Sequence, residues 1–567
     1  MAEQAAAEVD LHAVPQYQPT HIQLALLLSY ATVLTVWLFR LALSVSNGKF
    51  FTRCRVKHPS VNHTNHVTLD IQQQNSGISA AVENEPLLNS SNESHEHPVS
   101  LEEDPGTVLH RGDVTASKQN KHHPAREHKN NEVKVQGPPE VTFDKCIWSL
   151  VLFGSIMIYF YLCDYRKIFP QGERHYSRDS FLFLVFLFFL VALGFTIKPN
   201  TDKILNREQT EEWKGWMQVM FVWYHYFKAK EWYNWIRIYI ACYVWMTGFG
   251  NFSFFWIRSD YSMWRMLKML FRLNFLVVFV AMTTNNAYML YYICAMHTYW
   301  FLSVYVFMRV LKSWNRDRNL MAVKFVAYAI FNALIFEIPG ASQLVFRPFQ
   351  FVLGLEDNTG DIMHEWSFRA GLDHWACFFG MLCAYNYPHF EALMLYLETK
   401  SINRNEYFKK LCIRLLMGIV CLALGITWYF LFMQKDKFEY NATHPYTSLL
   451  AIFVYIILRN IHPVLRSYHL HMFAWLGKIT LETYLSQLHI YLLSNARTLL
   501  VFLDGYPLLN FSLATITYLA VSHTLFNITN DCSNYFLPKD DTRLMINITC
   551  VVSVFVLSYL AAFAWFL

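Results

Sequence analysis

Apolar residues in this chain fall in long runs separated by short polar breaks. The run from Ser180 to Phe195, SFLFLVFLFFLVALGF, carries no charge. A bilayer core about 30 Å thick needs roughly 20 apolar residues per helix, with every backbone polar group bonded inside the segment. On that basis the chain offers fourteen spans: 22–46, 146–163, 180–197, 214–228, 233–256, 267–284, 287–311, 320–340, 370–389, 410–433, 446–465, 470–493, 510–529 and 544–566. Segment 214–228 is short, and 470–493 is polar enough to be partly re-entrant. The expected fold is an all-α polytopic membrane protein of about 13–14 transmembrane helices with one long disordered loop.

That loop separates the first span from the rest. Residues 47–145 are rich in Asn, Ser, His, Glu and Lys, with almost no aromatic residue after Phe51. Such a segment buries too little apolar surface to offset its ordering entropy. Three regions are therefore expected: 1–46, a tail and first span; 47–145, a disordered cytoplasmic loop; and 146–567, a multi-span membrane domain. The loop's histidines read as a solvated tract rather than metal ligands.

Composition narrows the function classes. Of 567 residues, 54% are hydrophobic, 17% aromatic and only 16% charged, where a soluble domain carries roughly a quarter. This excludes an ordinary cytosolic enzyme, and the scattered net charge of +5 gives no reason to expect nucleic acid. The 11 cysteines, mostly within apolar runs and without CxxC spacing, read as small core residues. Orientation follows Lys and Arg near span ends. Residues 1–21 have neither, while Lys49, Arg53, Arg55 and Lys57 follow the first span. This places the N-terminus outside and 47–145 in the cytoplasm, with 341–369 and the sequon at Asn441 lumenal. Arg166, Lys167, Arg174 and Arg178 then sit on the lumenal side, against the rule.

Ionisable residues inside spans are costly and mark candidate sites. Lys214 and His225 are eleven residues apart, on nearly the same helix face and about 16 Å apart along the axis. A phosphorylated cofactor held by the Lys, with Trp213 and Gly215 beside it, would reach the His, which can act as base or acyl acceptor. The structural alternative is a core His with a snorkelling Lys. A second set is Lys478, Glu482, Gln487 and His489, where the alternative is hydrogen bonding between helices. A third is His364, Glu365, Arg369 and Asp373, with Arg369 and Asp373 spaced to pair. Phe368 stands where a zinc-binding HExxH motif needs its second His, so no metal is expected. His297, Asn285, Asn286, Arg272, Asn274, Glu337, Arg459, Asn460 and His462 are lesser candidates, read as bundle contacts.

EEWKGWMQVMFVWYHYF (211–227), YIACYVWMTGFGNFSFFWIR (239–258), FRLNFLV (271–277), YMLYYICAMHT (288–298), HEWSFRAGLD (364–373), HPYTSLL (444–450) and AWLGKITLETY (474–484) carry a resemblance. Together they resemble the plant "reduced wall acetylation" proteins, of the family that includes the fungal capsule O-acetylation protein and the animal sialate O-acetyltransferase. The resemblance covers about 140–567. It implies Golgi O-acetylation of glycans with acetyl-CoA as donor, and without the lumenal hydrolase-like domain of the animal and fungal members. More distantly, Lys214-Gly215 followed by His225 is similar to the Arg-Gly…His of type 3 membrane acyltransferases, where the His is catalytic, and Lys replaces Arg here. GKITLETYLSQ resembles that family's GxISYxxYLxH, with Gln487 at the His position and His489 two residues on.

The resulting expectation is a Golgi membrane O-acetyltransferase, or its acetyl-loading component, acting on glycans such as cell-wall polysaccharides. Acetyl-CoA docks near Lys214 and Lys478, with His225, Glu482 and His489 as catalytic candidates. The acceptor arrives near His364, Glu365, Arg369, Asp373 and His297. Membrane lipid and a separate lumenal polysaccharide acetyltransferase are the expected partners. Rival readings are an acetyl-CoA or acetyl transporter, disfavoured because no inverted repeat is visible, and a structural anchor for glycan-modifying enzymes.

Overall fold

A computed structural model describes residues 19–46, 141–201, 203–350, 361–493 and 496–566. The expected loop therefore lies outside the described residues as far as 140. The first helix, α1 (His21–Ser46), is followed by α2 (Phe143–Phe160), which starts inside the last residues assigned to that loop and passes into a π-helical turn, Tyr161–Tyr165. Then come β1 (Gln171–Gly172), α3 (Arg178–Phe195), β2 (Ile197–Pro199), α4 (Arg207–Phe227), α5 (Tyr233–Arg258), α6 (Met263–Thr284), α7 (Tyr292–Arg309) and α8 (Arg318–Phe336). The connection after α8 is partly helical, as α9 (Ala341–Phe346) and α10 (Asp361–Leu372). It leads to α11 (His374–Glu398), α12 (Arg404–Trp428), α13 (Lys437–Asn460) and α14 (Pro463–Arg466). The remainder is β3 (Tyr468–Leu470), α15 (His471–Lys478), α16 (Thr480–Ile490), β4 (Leu492–Leu493), β5 (Thr498–Leu500), α17 (Pro507–Phe536) and α18 (Asp541–Phe566).

Ten of the described helices are long and apolar enough to cross a membrane: α1, α2, α3, α5, α6, α8, α12, α13, α17 and α18. The other four expected spans are helical but more polar, and they correspond to α4, α7, α11 and the α15–α16 pair. Segment 470–493 breaks at Ile479, between α15 and α16. The polarity of these four has a structural reason. The ends of the bundle's sequence, α1 and α18, leave most of their apolar side chains exposed, as lipid-facing helices do, whereas α4 buries Gln209, Glu211, Glu212, Lys214 and Gln218.

Helix α4 is fixed locally by its ends. The Asn206 side chain accepts from the Gln209 amide at 2.8 Å as N-cap, Glu208 sits in the first turn, and Lys228 closes the helix with a left-handed backbone. Its position is fixed by α15. A Cβ on Gly215 would lie 1.8 Å from the carbonyl oxygen of Phe473, and one on Gly477 would lie 1.9 Å from that of Glu211. Each helix thus lays its backbone on the other's glycine, the small-residue packing that brings membrane helices close. Gly248 on α5 and Gly380 on α11 repeat the arrangement, each facing the other helix's backbone.

Two small sheets tie the connections together. Strands β2 and β3 pair antiparallel, with Lys198 opposite His469. Strands β1, β5 and β4 form the second sheet. The first joins connections following α3 and α14, and the second joins those following α2 and α16, so each sheet gathers loops that a fourteen-segment count puts on one side. The basic connection after α2 is tied inward as well. Arg174 donates to the carbonyl of His225 at 3.2 Å, and Arg178 lies 3.6 Å from Glu231.

Adding a methyl group at the α4–α15 crossing has no room to be absorbed, because the opposing atoms are backbone. Gly215→Ala and Gly477→Ala are each expected to cost about 3 kcal/mol or more, beyond ordinary overpacking. Gly194→Ala, whose Cβ meets nothing within 4 Å, is the control. Thermal melting of the purified variants in detergent checks this, and equal melting of all three would show that the crossing tolerates a methyl group.

Candidate functional site

The N-terminal end of α4 is a cluster of ion pairs. Lys214 Nζ lies 2.7 Å from Glu211 Oε2, with Arg207 3.9 Å from the same carboxylate's other oxygen. Glu212 pairs with Arg459 at 3.2 Å, and Glu208 with Lys478 at 3.0 Å. Lys214 is only 5% exposed. It is therefore an interior partner of Glu211, not an open cation at a mouth. Trp213 is buried edge-on against Tyr455 at 4.6 Å, and Gly215 is taken up by the crossing. Of the four residues expected to hold the donor, Lys478 alone is partly exposed.

His225 lies at the other end of α4. It is half-buried, its ring edge-on to Phe221 at 4.8 Å and Tyr224 at 5.0 Å. Its imidazole makes no hydrogen bond to any described side chain, and the charges that act on it are those of Arg174 and Arg369. Arg369 stands 4.0 Å over the Tyr292 ring and donates to Glu365 Oε2 at 2.8 Å. The structure thus brings His225, Arg369 and Glu365 to one region, with Tyr292 as wall. His364 is exposed on α10.

His489 and Glu482, on α16, are both fully buried and both engaged. Glu482 holds Arg272 in a two-pronged ion pair, with Nη2 to Oε2 at 3.1 Å. His489 has Asp164 Oδ2 3.0 Å from Nδ1 and the Tyr291 hydroxyl 2.9 Å from Nε2. Asp164 lies in the π-helical turn after α2, an irregularity often found at functional positions.

Asp373 is not with Arg369. Its spacing invited an i,i+4 pair, but Arg369 turns back to Glu365, and Asp373 closes a buried network. Arg237 Nη2 is 3.0 Å from its Oδ2, and His444 Nε2 is 3.2 Å from its Oδ1. The Tyr440 hydroxyl lies 3.0 Å from the other nitrogen of His444. His297 contacts Thr247 Oγ1 at 2.7 Å, and the charges of both Asp373 and Lys214 reach it. A trail of polar groups thus runs through the interior from Lys214 by His297 to Asp373. The sequon residue Asn441 has its side chain buried in α13 and bonded to the Tyr233 hydroxyl at 3.1–3.2 Å.

Sequence reasoning missed Asp164, Arg237, Tyr291, Tyr440 and His444 as site-forming residues. Two signals were there: Asp164 and Arg237 are charges inside apolar runs, and HPYTSLL puts a His before a helix-interior Pro.

The family described as "10 TM Acyl Transferase domain found in Cas1p" matches residues 106–549. Among curated proteins, the N-acetylneuraminate (7)9-O-acetyltransferase of Danio rerio is 33% identical over 407 residues, 69% of this chain and 50% of that protein. The chain thus spans about half the length of the curated relative it matches. No solved structure matches it.

The two carboxylate–cation arrangements should respond differently to neutralisation. Asp373→Asn leaves the buried Arg237 without its counter-charge and is expected to cost about 3 kcal/mol. Glu365→Gln breaks a partly solvated pair and should cost under about 1 kcal/mol. Melting temperatures of the two variants in the same detergent test this, and the reverse order would show the Asp373 network to be dispensable.

Proposed function

The chain belongs to the family of 10 TM acyl transferase domains found in Cas1p, and from that premise we propose that it is a Golgi O-acetyltransferase, or its acetyl-loading component, drawing on cytoplasmic acetyl-CoA to acetylate glycan hydroxyls in the lumen. The observation that carries the reading is His225, an imidazole without a hydrogen-bond partner among the described side chains, flanked by Arg174 and Arg369 at the end of the helix whose other end holds the ion-paired lysines. A sugar O-acetyltransferase activity is also what the name of the Danio rerio relative states for that protein.

In this reading the donor enters at the α4 N-terminal end and its pantetheine arm follows α4 for about 16 Å. His225 takes the proton of the acceptor hydroxyl as its oxygen attacks the thioester carbonyl, or itself carries the acetyl group between donor and acceptor. Arg369 and Arg174 are the cations placed to stabilise negative charge on the carbonyl oxygen as the tetrahedral intermediate forms. The thiolate of CoA leaves and takes up a proton. Glu365 keeps Arg369 in place, and the exposed His364 beside it faces the acceptor. Cell-wall polysaccharide is the proposed acceptor class, and a separate lumenal polysaccharide acetyltransferase the candidate partner for the final transfer.

The test is the purified full chain in sealed liposomes with acetyl-labelled acetyl-CoA outside. Acetyl transfer predicts free CoA outside and label on an oligosaccharide inside, whereas transport predicts intact CoA inside. His225→Gln should lower turnover by about 10²–10⁴-fold, while CoA binding is retained. Near-normal turnover in that variant would exclude His225 as base or carrier.

A further inference from the structure

At the sheet formed by β2 and β3, five chemistry-bearing residues from three segments converge beside the first turn of α4. Lys198 on β2 stands opposite His469 on β3. The His469 and His471 rings are 6.0 Å apart, and Glu208 reaches both His469 Nε2 at 3.8 Å and Lys478 Nζ at 3.0 Å. The charges of Lys198 and Lys478 act on both imidazoles. His469 is only 6% exposed, yet neither of its ring nitrogens has a hydrogen-bond partner among the described residues. A buried polar group left unsatisfied costs about 1–3 kcal/mol, so its presence calls for an acceptor that the chain does not itself supply. Burial holds the His469 pKa below its usual value, Glu208 opposing and His471, Lys478 and Lys198 reinforcing, so at neutral pH the ring is a neutral N–H donor. Among the described residues Glu208 is the carboxylate that acts on this group, paired with Lys478, and Lys198 has no ion pair there, which leaves the described group cationic. An N–H donor, two ammonium groups and a helix N-terminus around one spot make an anion site.

We propose that Lys198, His469, His471 and Lys478 form a phosphate-binding mouth that holds the nucleotide phosphates of the acyl donor, at the end of α4 opposite His225. The inference rests on the acetyl-CoA reading above and moves the phosphate contact from the sealed Lys214 to a surface where a soluble donor can enter. Lys198 is exposed and Lys478 and His471 are half-exposed, so the spot opens outward while His469 forms its floor. Lys478 engages the anion by exchanging its bond to Glu208, and Lys214 remains the interior partner of Glu211.

The experiment compares acetyl-CoA with S-acetylpantetheine, which has the same thioester but no phosphate, on the full chain in phosphatidylcholine nanodiscs. Lys198→Gln, His469→Gln and Lys478→Gln should each raise the KM for acetyl-CoA about tenfold with kcat retained, the loss of one charge-assisted contact. Acetyl transfer from S-acetylpantetheine should be unchanged in all three, which also shows that they fold. Lys198→Arg should restore most of the affinity. Wild-type KM values for acetyl-CoA in the Gln variants, with transfer intact, would overturn the site while leaving the proposed function standing. A wild-type protein that transfers no acetyl from either thioester would overturn both. If nanodiscs containing phosphatidic acid show lipid retention that is lost in the variants, and acetyl-CoA does not displace that lipid, the site holds a lipid headgroup and the donor assignment is wrong.

Discussion

The backbone contact between Gly215 and Gly477 is the constraint on which the interior depends. It sets two helices at a separation that no side chain larger than hydrogen permits, with Phe473 and Glu211 offering their carbonyl oxygens to the opposing glycines. Because Gly215 follows Lys214, and Gly477 precedes Lys478, one crossing fixes both lysines. Glu211, whose backbone lies under Gly477, is the residue that pairs with Lys214. Packing and electrostatics at this point are therefore the same structural event.

Charges enclosed in a membrane bundle are tolerated only when paired, and the pairs here are extensive. Glu211–Lys214, Arg237–Asp373 and Arg272–Glu482 each involve a carboxylate with no exposed surface. Two buried histidines, His489 and His444, each stand between an aspartate and a tyrosine hydroxyl. Replacing such pairs by apolar groups of similar shape is commonly neutral or stabilising, so stability alone does not account for them. His225 contrasts with both. Among the described side chains it has neither aspartate nor tyrosine on its ring nitrogens, and the charges that act on it are cationic.

The fold class was legible in the sequence because hydrocarbon thickness imposes a run length, and that signal is local. Ten segments carried it fully, from the exposed α1 and α18 to the largely buried α5. The four polar helices were also found as segments, although their apolarity falls short, since they carry residues such as Glu212 and Glu482 that pair with other helices. The pairing at Gly215 and Gly477 was not legible: both positions drew notice for their motifs, but that the two motifs touch depends on residues over 250 apart in the chain. The same is true of Asp164 with His489, 325 residues apart, and the 71 residues between Asp373 and His444 hide that pair as well. Arg369–Asp373 shows the converse error. Helical spacing allows that pair, and the break between α10 and α11 after Leu372 removes it.

The basic connection after α2 shows how a local rule yields to a tertiary one. Lys and Arg near span ends report orientation when they are free to interact with the membrane and the insertion machinery. Arg174 is instead committed to the carbonyl of His225, at the negative end of the α4 macrodipole, and Arg178 to Glu231. A cation at that end stabilises the helix terminus and at the same time sets a positive field beside the His225 ring. Of the four basic residues in that connection, Arg174 is thus the one the candidate site uses. With Arg174 and Arg369 at one end of α4 and Lys478 at the other, a single helix about 30 Å long spaces the two regions of positive charge between which an acyl group would pass.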